Sequence, residues 1–218
     1  MTKRLFITGT HTDAGKTYAA CALLNSFNQR GFSTLGLKPV ASGAIMTADG
    51  LRSQDALALQ SASSLKLDYQ HVNPFLFEPP IAPHIAAQAA QQNLSVKNLM
   101  AACETALEQN VDCIVIEGAG GWLVPLNDQE YLADFAEALA AEIILVVGMR
   151  LGCINHALLT LRDIEQRGLS LAGWIANCID PDMLHLEENI EFLQAHISAP
   201  LLATLPHQAE ADPSSVFI

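Results

Sequence analysis

Residues 6–17 read FITGTHTDAGKT, and this stretch decides the fold. A phosphate-binding loop has the form G-x-x-x-x-G-K-[ST], and Gly15, Lys16 and Thr17 supply its second half. The first glycine is out of place, because position 10 holds threonine and the nearest glycine is Gly9. An apolar run precedes the loop, and apolar residues at helical spacing follow it. This order predicts a phosphate site of variant form, and a plain glycine turn is the alternative.

The composition describes an acidic chain of moderate size. Its 218 residues are 50% hydrophobic and 16% charged, which suits one compact core. The net charge of −12 disfavours nucleic acid and anionic membranes as partners. Five cysteines without a C-x-x-C pair predict reduced thiols. Because no signal peptide and no apolar run of about 18 residues is visible, we expect a cytoplasmic protein.

Apolar strands alternate with amphipathic helices along the rest of the chain. We expect further strands in TLGLKPV, DCIVIEGAGG (ending in its glycine turn), EIILVVG, LAGWIANC and PLLATLP. Helices are expected over 15–29, 53–62, 96–109, 132–140, 154–168 and 182–197, and the proline-rich stretch 70–93 is expected to be a loop or a partly extended segment. The alternation predicts a single α/β domain with a mostly parallel sheet covered by helices on both faces. Ligands of such sheets bind beyond the carboxyl ends of the strands.

Two charged residues end apolar strands, where the site is expected. Lys38 ends TLGLK and is followed by Ser42 in a loop; it either faces the site or extends its aliphatic stem towards solvent. Glu117 ends the strand CIVIE before three glycines that would let backbone approach a phosphate. A solvated glutamate at a turn is the alternative.

Thr17, Asp55 and Glu117 together offer one hydroxyl and two carboxylates. An oxygen-only set suits Mg²⁺ and does not suit zinc. Asn177 ends a later strand and either reads the edge of a purine or caps a turn. Asn155 alone reads as a helix N-cap, and the histidines show no metal-ligand spacing.

Five motifs in order closely resemble the dethiobiotin synthetase family of the biotin pathway: GTHTDAGKT, KPVASG, EGAGGW, RLGCINHALLT and AGWIAN. The resemblance covers nearly the whole chain, from Lys3 to about Pro206. The loop of that family has the form G-T-x-T-x-x-G-K-T, so its early glycine is a family trait. The resemblance implies a P-loop NTPase-like fold and a ligase that uses ATP and Mg²⁺. Its reaction joins CO₂ to 7,8-diaminononanoate (7,8-diaminopelargonate) and closes a cyclic urea through a carbamate and a carbamic–phosphoric mixed anhydride.

The resemblance also implies roles for single residues. Lys38, Lys16 and Thr12 would be catalytic, and Thr17, Asp55 and Glu117 would bind Mg²⁺. ATP would contact Asp13, Ala14, Gly15, Lys16, Thr17, Tyr18, Asp55, Glu117, Gly118, Ala119, Gly120, Asn177, Cys178, Pro206, His207 and Gln208. Thr12 and Ser42 would face the diamine and carbamate. The enzyme would be a homodimer, in which Gly152, Cys153, Ile154 and Asn155 reach the substrate of the partner subunit.

Three other readings of the sequence compete with this one. A partitioning-type P-loop switch ATPase would carry a signature lysine where this chain has His11. It would also carry a basic amphipathic tail or a DNA-binding surface, which the acidic charge disfavours. A glutamine-dependent amidoligase would need a further glutaminase domain, for which we expect no room. A nucleotide-binding module without catalysis is the third reading, and Lys38 and Ser42 argue against it.

Overall fold

A six-stranded parallel sheet runs through the centre of the computed structural model, which describes residues 2–207. The elements in chain order are β1 (Lys3–Gly9), α1 (Lys16–Gln29), β2 (Thr34–Leu37), β3 (Val40–Ser42), β4 (Ile45–Thr47), β5 (Gly50–Arg52), α2 (Gln54–Ala62), α3 (Tyr69–Val72), β6 (Phe75–Phe77), α4 (Pro83–Ala89), α5 (Val96–Leu107), β7 (Cys113–Glu117), α6 (Leu132–Ala138), β8 (Glu142–Gly148), α7 (Cys153–Gln166), β9 (Leu171–Asn177), α8 (Leu186–His196) and β10 (Leu201–Leu205). The predicted single α/β domain with a parallel sheet is confirmed.

The strand order of the main sheet is β10-β9-β8-β1-β7-β2. β1 lies inside the sheet between β7 and β8, and its last five residues, Leu5–Gly9, are buried. From β1 the chain crosses to β2 on one side, and from β7 it returns to β8 on the other. The crevice beyond the carboxyl ends of β1 and β7 is therefore the topological switch point, where ligands of such sheets bind.

Hydrophobic clusters cover both faces of this sheet. Neighbouring residues of a strand point to opposite faces, so Phe6 and Ile7 enter different clusters. Phe6 packs with Phe135 of α6 on one face, at a ring-centroid distance of 6.4 Å. Ile7 belongs to the cluster that contains Leu24 of α1 on the other face. This packing fixes the first residues of α1 above the carboxyl end of β1.

The predicted strand TLGLKPV is shorter in the structure and ends at Leu37. The chain then turns at Lys38 and Pro39, and β3 pairs in parallel with β6 in a separate two-stranded sheet. Pro39 cannot donate a ladder hydrogen bond, which accounts for the break. The break turns Lys38 away from the strand and into the crevice.

Two other sequence-based boundaries were wrong. Residues 70–93 are predicted as a loop or partly extended segment, and they contain the extended strand β6 but also most of α3 and all of α4, which were not predicted. The prolines are accommodated because Pro83 is in the first turn of α4, where no amide donor is needed, and Pro74 precedes β6. The hairpin of β4 and β5 was not predicted, and α8 begins at Leu186 instead of residue 182. Within residues 2–207, no helix is both long and apolar enough to cross a membrane.

Candidate active site

A cleft of about 790 Å³ opens at the carboxyl ends of β1, β2 and β7. Eleven of the residues predicted from the sequence line it together: Thr12, Asp13, Gly15, Lys16, Thr17, Lys38, Ser42, Asp55, Glu117, Ala119 and Gly120. They come from four separate stretches of the chain: residues 12–17, 38–42, 55 and 117–120. The fold therefore brings together every residue predicted to be catalytic or to bind Mg²⁺, while the predicted residues outside this set lie outside the cleft lining.

The early glycine of the phosphate loop has a packing role. A Cβ atom at Gly9 would lie 3.1 Å from Cγ of Lys16 and 3.2 Å from Cβ of Ala14. The missing side chain thus lets the Lys16 stem fold back over the end of β1. Gly15 takes a left-handed conformation with φ of 86°, which glycine adopts without steric cost. Asp13 also has a positive φ, 65°, which a short polar residue tolerates better than most.

Lys16 is buried at the first position of α1. Its Nζ donates to the carbonyl of His11 at 3.3 Å. Burial, followed by the nearby charge of Lys38, lowers the pKa of Lys16 to about 8. Placed beside the N-terminus of α1, this ammonium group suits an anion such as a phosphate.

Lys38 forms the centre of the charged part of the cleft. Its Nζ lies 2.5 Å from Glu117 Oε1, 2.9 Å from Asp55 Oδ2 and 3.1 Å from the Gly118 carbonyl. Only 4% of the Lys38 side chain is exposed, so it does not extend towards solvent. Burial acts to lower the pKa of Lys38, but the two carboxylates outweigh it and raise the pKa above its ordinary value.

Asn73 holds the backbone of Lys38 and was not found from the sequence. Its Nδ2 donates to the Lys38 carbonyl at 2.6 Å, and the Lys38 amide donates to the Val72 carbonyl at 2.9 Å. Asn73 is buried, and Tyr69 donates its hydroxyl to Asn73 Oδ1 at 3.0 Å. The sequence predicts a loop or partly extended segment here, which gives no signal for a positioning residue.

The residues predicted to bind Mg²⁺ converge beside Lys38. Thr17 Oγ1 donates to Glu117 Oε1 at 2.9 Å, and Asp55 faces the same ammonium group from α2. Glu117 Oε2 is buried and has no hydrogen-bond partner within the described part of the chain. Burial acts to raise the pKa of Asp55, but Lys38 outweighs it and the pKa lies below its ordinary value.

This donor set fits Mg²⁺ in its chemistry. Within residues 2–207, no group of three or more His, Cys, Asp or Glu side chains is placed to hold a metal. The set beside Lys38 is smaller and consists of the Asp55 and Glu117 carboxylates and the Thr17 hydroxyl. Mg²⁺ commonly takes few carboxylates and completes its shell with water and phosphate oxygens. The unpartnered Glu117 Oε2 is an acceptor that a cation would satisfy.

Apolar residues that were not predicted from the sequence also line the cleft. The lining includes Ala41, Pro80, Ile81, Ala82, Pro83, Leu123, Val124 and Pro125. Ile81 is 41% exposed and Leu123 is 49% exposed, so both present apolar surface to the cleft. Pro80, Ile81, Ala82 and Pro83 belong to EPPIAP (residues 78–83), within the stretch predicted as a loop or partly extended segment, and Leu123 directly follows the motif EGAGGW. This apolar lining suits a hydrocarbon chain.

Thr12 and Ser42 both line the cleft, and their contact with the diamine and carbamate stays a prediction. Thr12 is exposed on the phosphate loop, with its Oγ1 3.6 Å from where a Cβ of Gly120 would stand. Ser42 Oγ is buried without a hydrogen-bond partner among residues 2–207. A buried hydroxyl without a partner is uncommon and marks a place where a ligand would complete the bonding.

Other predicted nucleotide residues lie beside the loop, outside this cleft. Asn177 Nδ2 donates to the Ala14 carbonyl at 2.9 Å, so the end of β9 supports the phosphate loop. The Cys178 amide donates to the Leu205 carbonyl at 2.8 Å, which places Pro206 and His207 next to this strand end. Gln208 lies outside the described residues. Tyr18 is on α1 and Gly118 follows β7, so both adjoin the site.

The turn at residues 152–155 is separate from the cleft. Gly152 has φ of 94° and is exposed, and Cys153 is the buried first residue of α7. Ile154 is half-buried and Asn155 is exposed. Contact of this turn with a partner's substrate stays a prediction.

The chain is similar in sequence to several known proteins, and it shares its fold with others at much lower sequence identity. The family model described as an AAA domain matches residues 3–215. The chain is 53% identical to the ATP-dependent dethiobiotin synthetase BioD of Cellvibrio japonicus, over 99% of this chain and 95% of the relative. It is 49% identical to ATP-dependent dethiobiotin synthetase BioD 1 of Escherichia coli K12, over 96% and 93%.

Two solved structures share the fold at low sequence identity. One is the septum site-determining protein MinD of Pyrococcus horikoshii with Mg-ADP, with a TM-score of 0.60 and 17% identity over 100% of this chain and 93% of that one. The other is cobyrinic acid a,c-diamide synthase of Mycobacterium smegmatis with ADP and magnesium, with a TM-score of 0.56 and 12% identity over 99% and 91%. At these identities the likeness concerns the fold alone, which is that of P-loop NTPases.

Proposed function

Because this chain belongs to the dethiobiotin synthetase family, and is therefore a ligase, we propose that it converts 7,8-diaminononanoate, CO₂ and ATP into dethiobiotin, ADP and phosphate. The observation that carries the proposal is the position of Lys38. Its buried ammonium group lies in one cleft that is also lined by the phosphate loop, by Ser42 and by apolar side chains. A nucleotide and an aliphatic diamine can meet there.

The phosphate loop and Lys16 bind the ATP phosphates in this proposal. The first amides of α1 have no helical partner and lie at the positive end of the helix dipole. The chain has only 11 Lys and Arg in all, and two of them line this cleft. Asn177, Cys178, Pro206 and His207 would stand near the adenine, since their strand ends adjoin the loop.

Thr17, Asp55 and Glu117 would hold Mg²⁺. When bound there, the metal neutralises charge on the phosphates. The support is the oxygen-only donor set and the unpartnered Glu117 Oε2.

The proposed reaction has three steps. One amine of the substrate adds to CO₂ and loses a proton, which gives a carbamate. A carbamate oxygen attacks the γ-phosphorus, and the bond from that phosphorus to the ADP oxygen breaks. The second amine then attacks the carbonyl carbon of the mixed anhydride, phosphate leaves, and a proton is released as the ring closes. Both amines belong to one molecule, so the last step benefits from high effective molarity.

Lys38, Thr12 and Ser42 serve the carbamate. Attack of an anion on a phosphate anion needs fixed positive charge near the reacting oxygens, and Lys38 and Lys16 supply it. The Thr12 and Ser42 hydroxyls hydrogen-bond the carbamate or an amine. The aliphatic chain lies against the apolar lining of the cleft, where Ile81 and Leu123 are exposed.

We further propose that the enzyme is a cytoplasmic homodimer. Residues 152–155 are the N-cap and the first residues of α7, whose first amides can bind the distal carboxylate of a substrate in the partner's cleft. This assignment would explain why Gly152 and Asn155 are exposed and why the turn is separate from the cleft lining of its own subunit.

The test is ADP formation by the purified protein with bicarbonate, with and without the diamine. We expect turnover to require both substrates. Equal ADP formation without the diamine would contradict the proposal and would favour the switch-ATPase alternative. Mass spectrometry should identify dethiobiotin in the complete reaction.

A further inference from the structure

A chain of polar side chains behind the cleft connects its glycine-rich wall to α7 and α6. The Trp122 indole Nε1 donates to Asp163 Oδ2 at 2.6 Å. Arg167, four residues after Asp163, donates its Nε to the same oxygen at 2.7 Å. The Arg167 Nη1 donates to Asp134 Oδ1 at 2.6 Å, and Asp134 Oδ2 accepts from the Tyr131 amide at 2.6 Å. These four hydrogen bonds join three separate segments of the chain.

The network holds one stretch of the cleft lining at its middle and at its C-terminal end. We call residues 118–125 the wall segment, and six of them line the cleft: Ala119, Gly120, Gly121, Leu123, Val124 and Pro125. Trp122 lies within the segment but points away from the cleft, towards Asp163. At the far end, Pro125 forms a β-bridge with Tyr131, whose amide is bound by Asp134. Three of the eight residues in the segment are glycine, which has no side chain and a flexible backbone. The segment therefore has few side chains of its own that could fix its position.

Trp122 links the hydrogen-bond network to the wall segment. It is 4% exposed and packs edge-on against Phe6 at a ring-centroid distance of 6.4 Å. Phe6 in turn limits Gly118, since a Cβ there would lie 3.1 Å from its ring. A buried indole N–H needs an acceptor, and Asp163 supplies it.

We propose that Asp163 is a positioning residue for the reaction. By accepting from Trp122, it holds the wall segment at a fixed distance from the phosphate loop, although it lies outside the cleft lining. The inference takes the identity of the reaction from the proposed function and the role of Asp163 from geometry alone. Displacement of a site wall by a fraction of an ångström is enough to lower a rate severalfold or more.

Three variants separate a positioning role from a structural one. Asp163→Ala removes the acceptor, Asp163→Asn keeps an acceptor for Trp122 but loses the charge beside Arg167, and Trp122→Phe removes the donor. We expect about a tenfold loss of kcat/KM in Asp163→Ala and in Trp122→Phe, and a value within about threefold of wild type in Asp163→Asn. Because the two losses remove one interaction, the double variant Asp163→Ala/Trp122→Phe should be no worse than either single variant.

The control is Glu165→Gln, an exposed carboxylate on the same helix. Kinetics are measured at least about 15 °C below the Tm of each variant, so that unfolding of the protein does not lower the measured rates. Unchanged kcat and KM in Asp163→Ala, with only the Tm lowered, would overturn the inference. Equal losses in Asp163→Ala and Asp163→Asn would also overturn it, since the hydrogen bond to Trp122 would then be irrelevant.

Two further readouts do not depend on turnover. The chain has two tryptophans, so the emission change caused by Asp163→Ala should disappear in the Trp122→Phe background. ADP affinity measured by calorimetry should fall in Asp163→Ala and recover in Asp163→Asn. A wild-type protein without diamine-dependent turnover would contradict the proposed function, while these two readouts would still decide the role of Asp163.

Discussion

The Lys38 ammonium group lies 2.5 Å from the Glu117 carboxylate, and their side chains are 4% and 1% exposed. This buried pair joins the end of β2 to the end of β7. Two opposite charges removed from water stabilise each other only while both are present, and loss of one leaves the other uncompensated. A substitution of either residue should therefore affect both the stability of the protein and the proposed reaction.

Substitution of Lys38 tests this expectation. We expect Lys38→Met to abolish measurable turnover and to lower the free energy of unfolding by about 3–5 kcal/mol, because Glu117 loses its closest counter-ion. The double variant Lys38→Met/Glu117→Gln should recover much of the Tm but none of the activity. Denaturant unfolding and the ADP assay measure the two effects separately. Activity retained in Lys38→Met would refute the assignment of Lys38 as catalytic.

Gly15→Ala tests the phosphate loop with a matched control. A Cβ at Gly15 would lie 1.9 Å from Asn177 Nδ2, and φ is 86°. Gly31 has nearly the same φ, 85°, but no atom of the described chain lies within 4 Å of its Cβ position. We expect Gly31→Ala to cost about 1–2 kcal/mol of stability and to leave ATP affinity unchanged. Gly15→Ala should lose at least tenfold in ATP affinity by calorimetry, because the loop must move.

The collision with Asn177 can be relieved separately. In Gly15→Ala/Asn177→Ala the side chain that obstructs the new methyl group is gone, and only the strain of the positive φ remains. We expect this double variant to be more stable than Gly15→Ala. Equal Tm values would mean that the loop does not rest on Asn177.

Ser42→Ala separates substrate binding from stability. The buried Ser42 hydroxyl has no partner within residues 2–207, so its removal leaves no other group unpaired. We expect the Tm to stay the same or rise slightly, while KM for the diamine rises about tenfold and the affinity for ATP stays unchanged. Ser61→Ala, an exposed serine on α2, is the control. A lower Tm with unchanged KM would assign Ser42 to the fold and not to the substrate.

Asp55→Asn tests the proposed Mg²⁺ site. Asp55 is the more exposed of the two carboxylates, so its amide variant should fold, while Glu117 is buried. We expect the Mg²⁺ concentration for half-maximal turnover to rise at least tenfold, since a carboxylate oxygen is lost to a hard cation. Asp49→Asn, on the exposed hairpin turn, is the charge-matched control. The same Mg²⁺ dependence in Asp55→Asn and wild type would rule Asp55 out as a ligand.

The buried cysteines give a prediction on pH. All five cysteines lie in the described range and are free thiols. Burial raises the pKa of Cys103 and of Cys113 to about 12. Only the thiolate reacts, and at pH values below 12 its fraction grows about tenfold per pH unit.

We therefore expect iodoacetamide to spare Cys103 and Cys113 in the native protein at pH 8 and to modify them faster as pH rises. Peptide mass spectrometry after timed labelling measures each site. All five thiols should react in denaturant. Rapid native labelling of Cys103 at pH 8 would show that its helix opens readily.

Individual residues show how far the sequence could go. Lys38 and Glu117 could be placed at strand ends because apolar runs stop there, and parallel strands bring such ends to one edge. Their direct contact could not be predicted, because it needs the strand order that puts β7 next to β2. Ile81 and Leu123 escaped notice because an exposed apolar side chain in a loop has no periodic signal. Asp163 escaped notice because its partner is 41 residues away in sequence.

By itself, the sequence determined the parallel α/β fold and the place of the phosphate loop. Hydrophobic periodicity and the order of strand, glycine loop and helix are local properties, because they depend on residues that are close together in the sequence. The tertiary structure alone decided that Gly9 makes room for Lys16, that Asn177 supports the loop, and that Ser42 and Glu117 keep buried oxygens unpartnered within the described chain. These facts depend on distances between segments remote in sequence, and only the packed sheet and its crossovers set those distances.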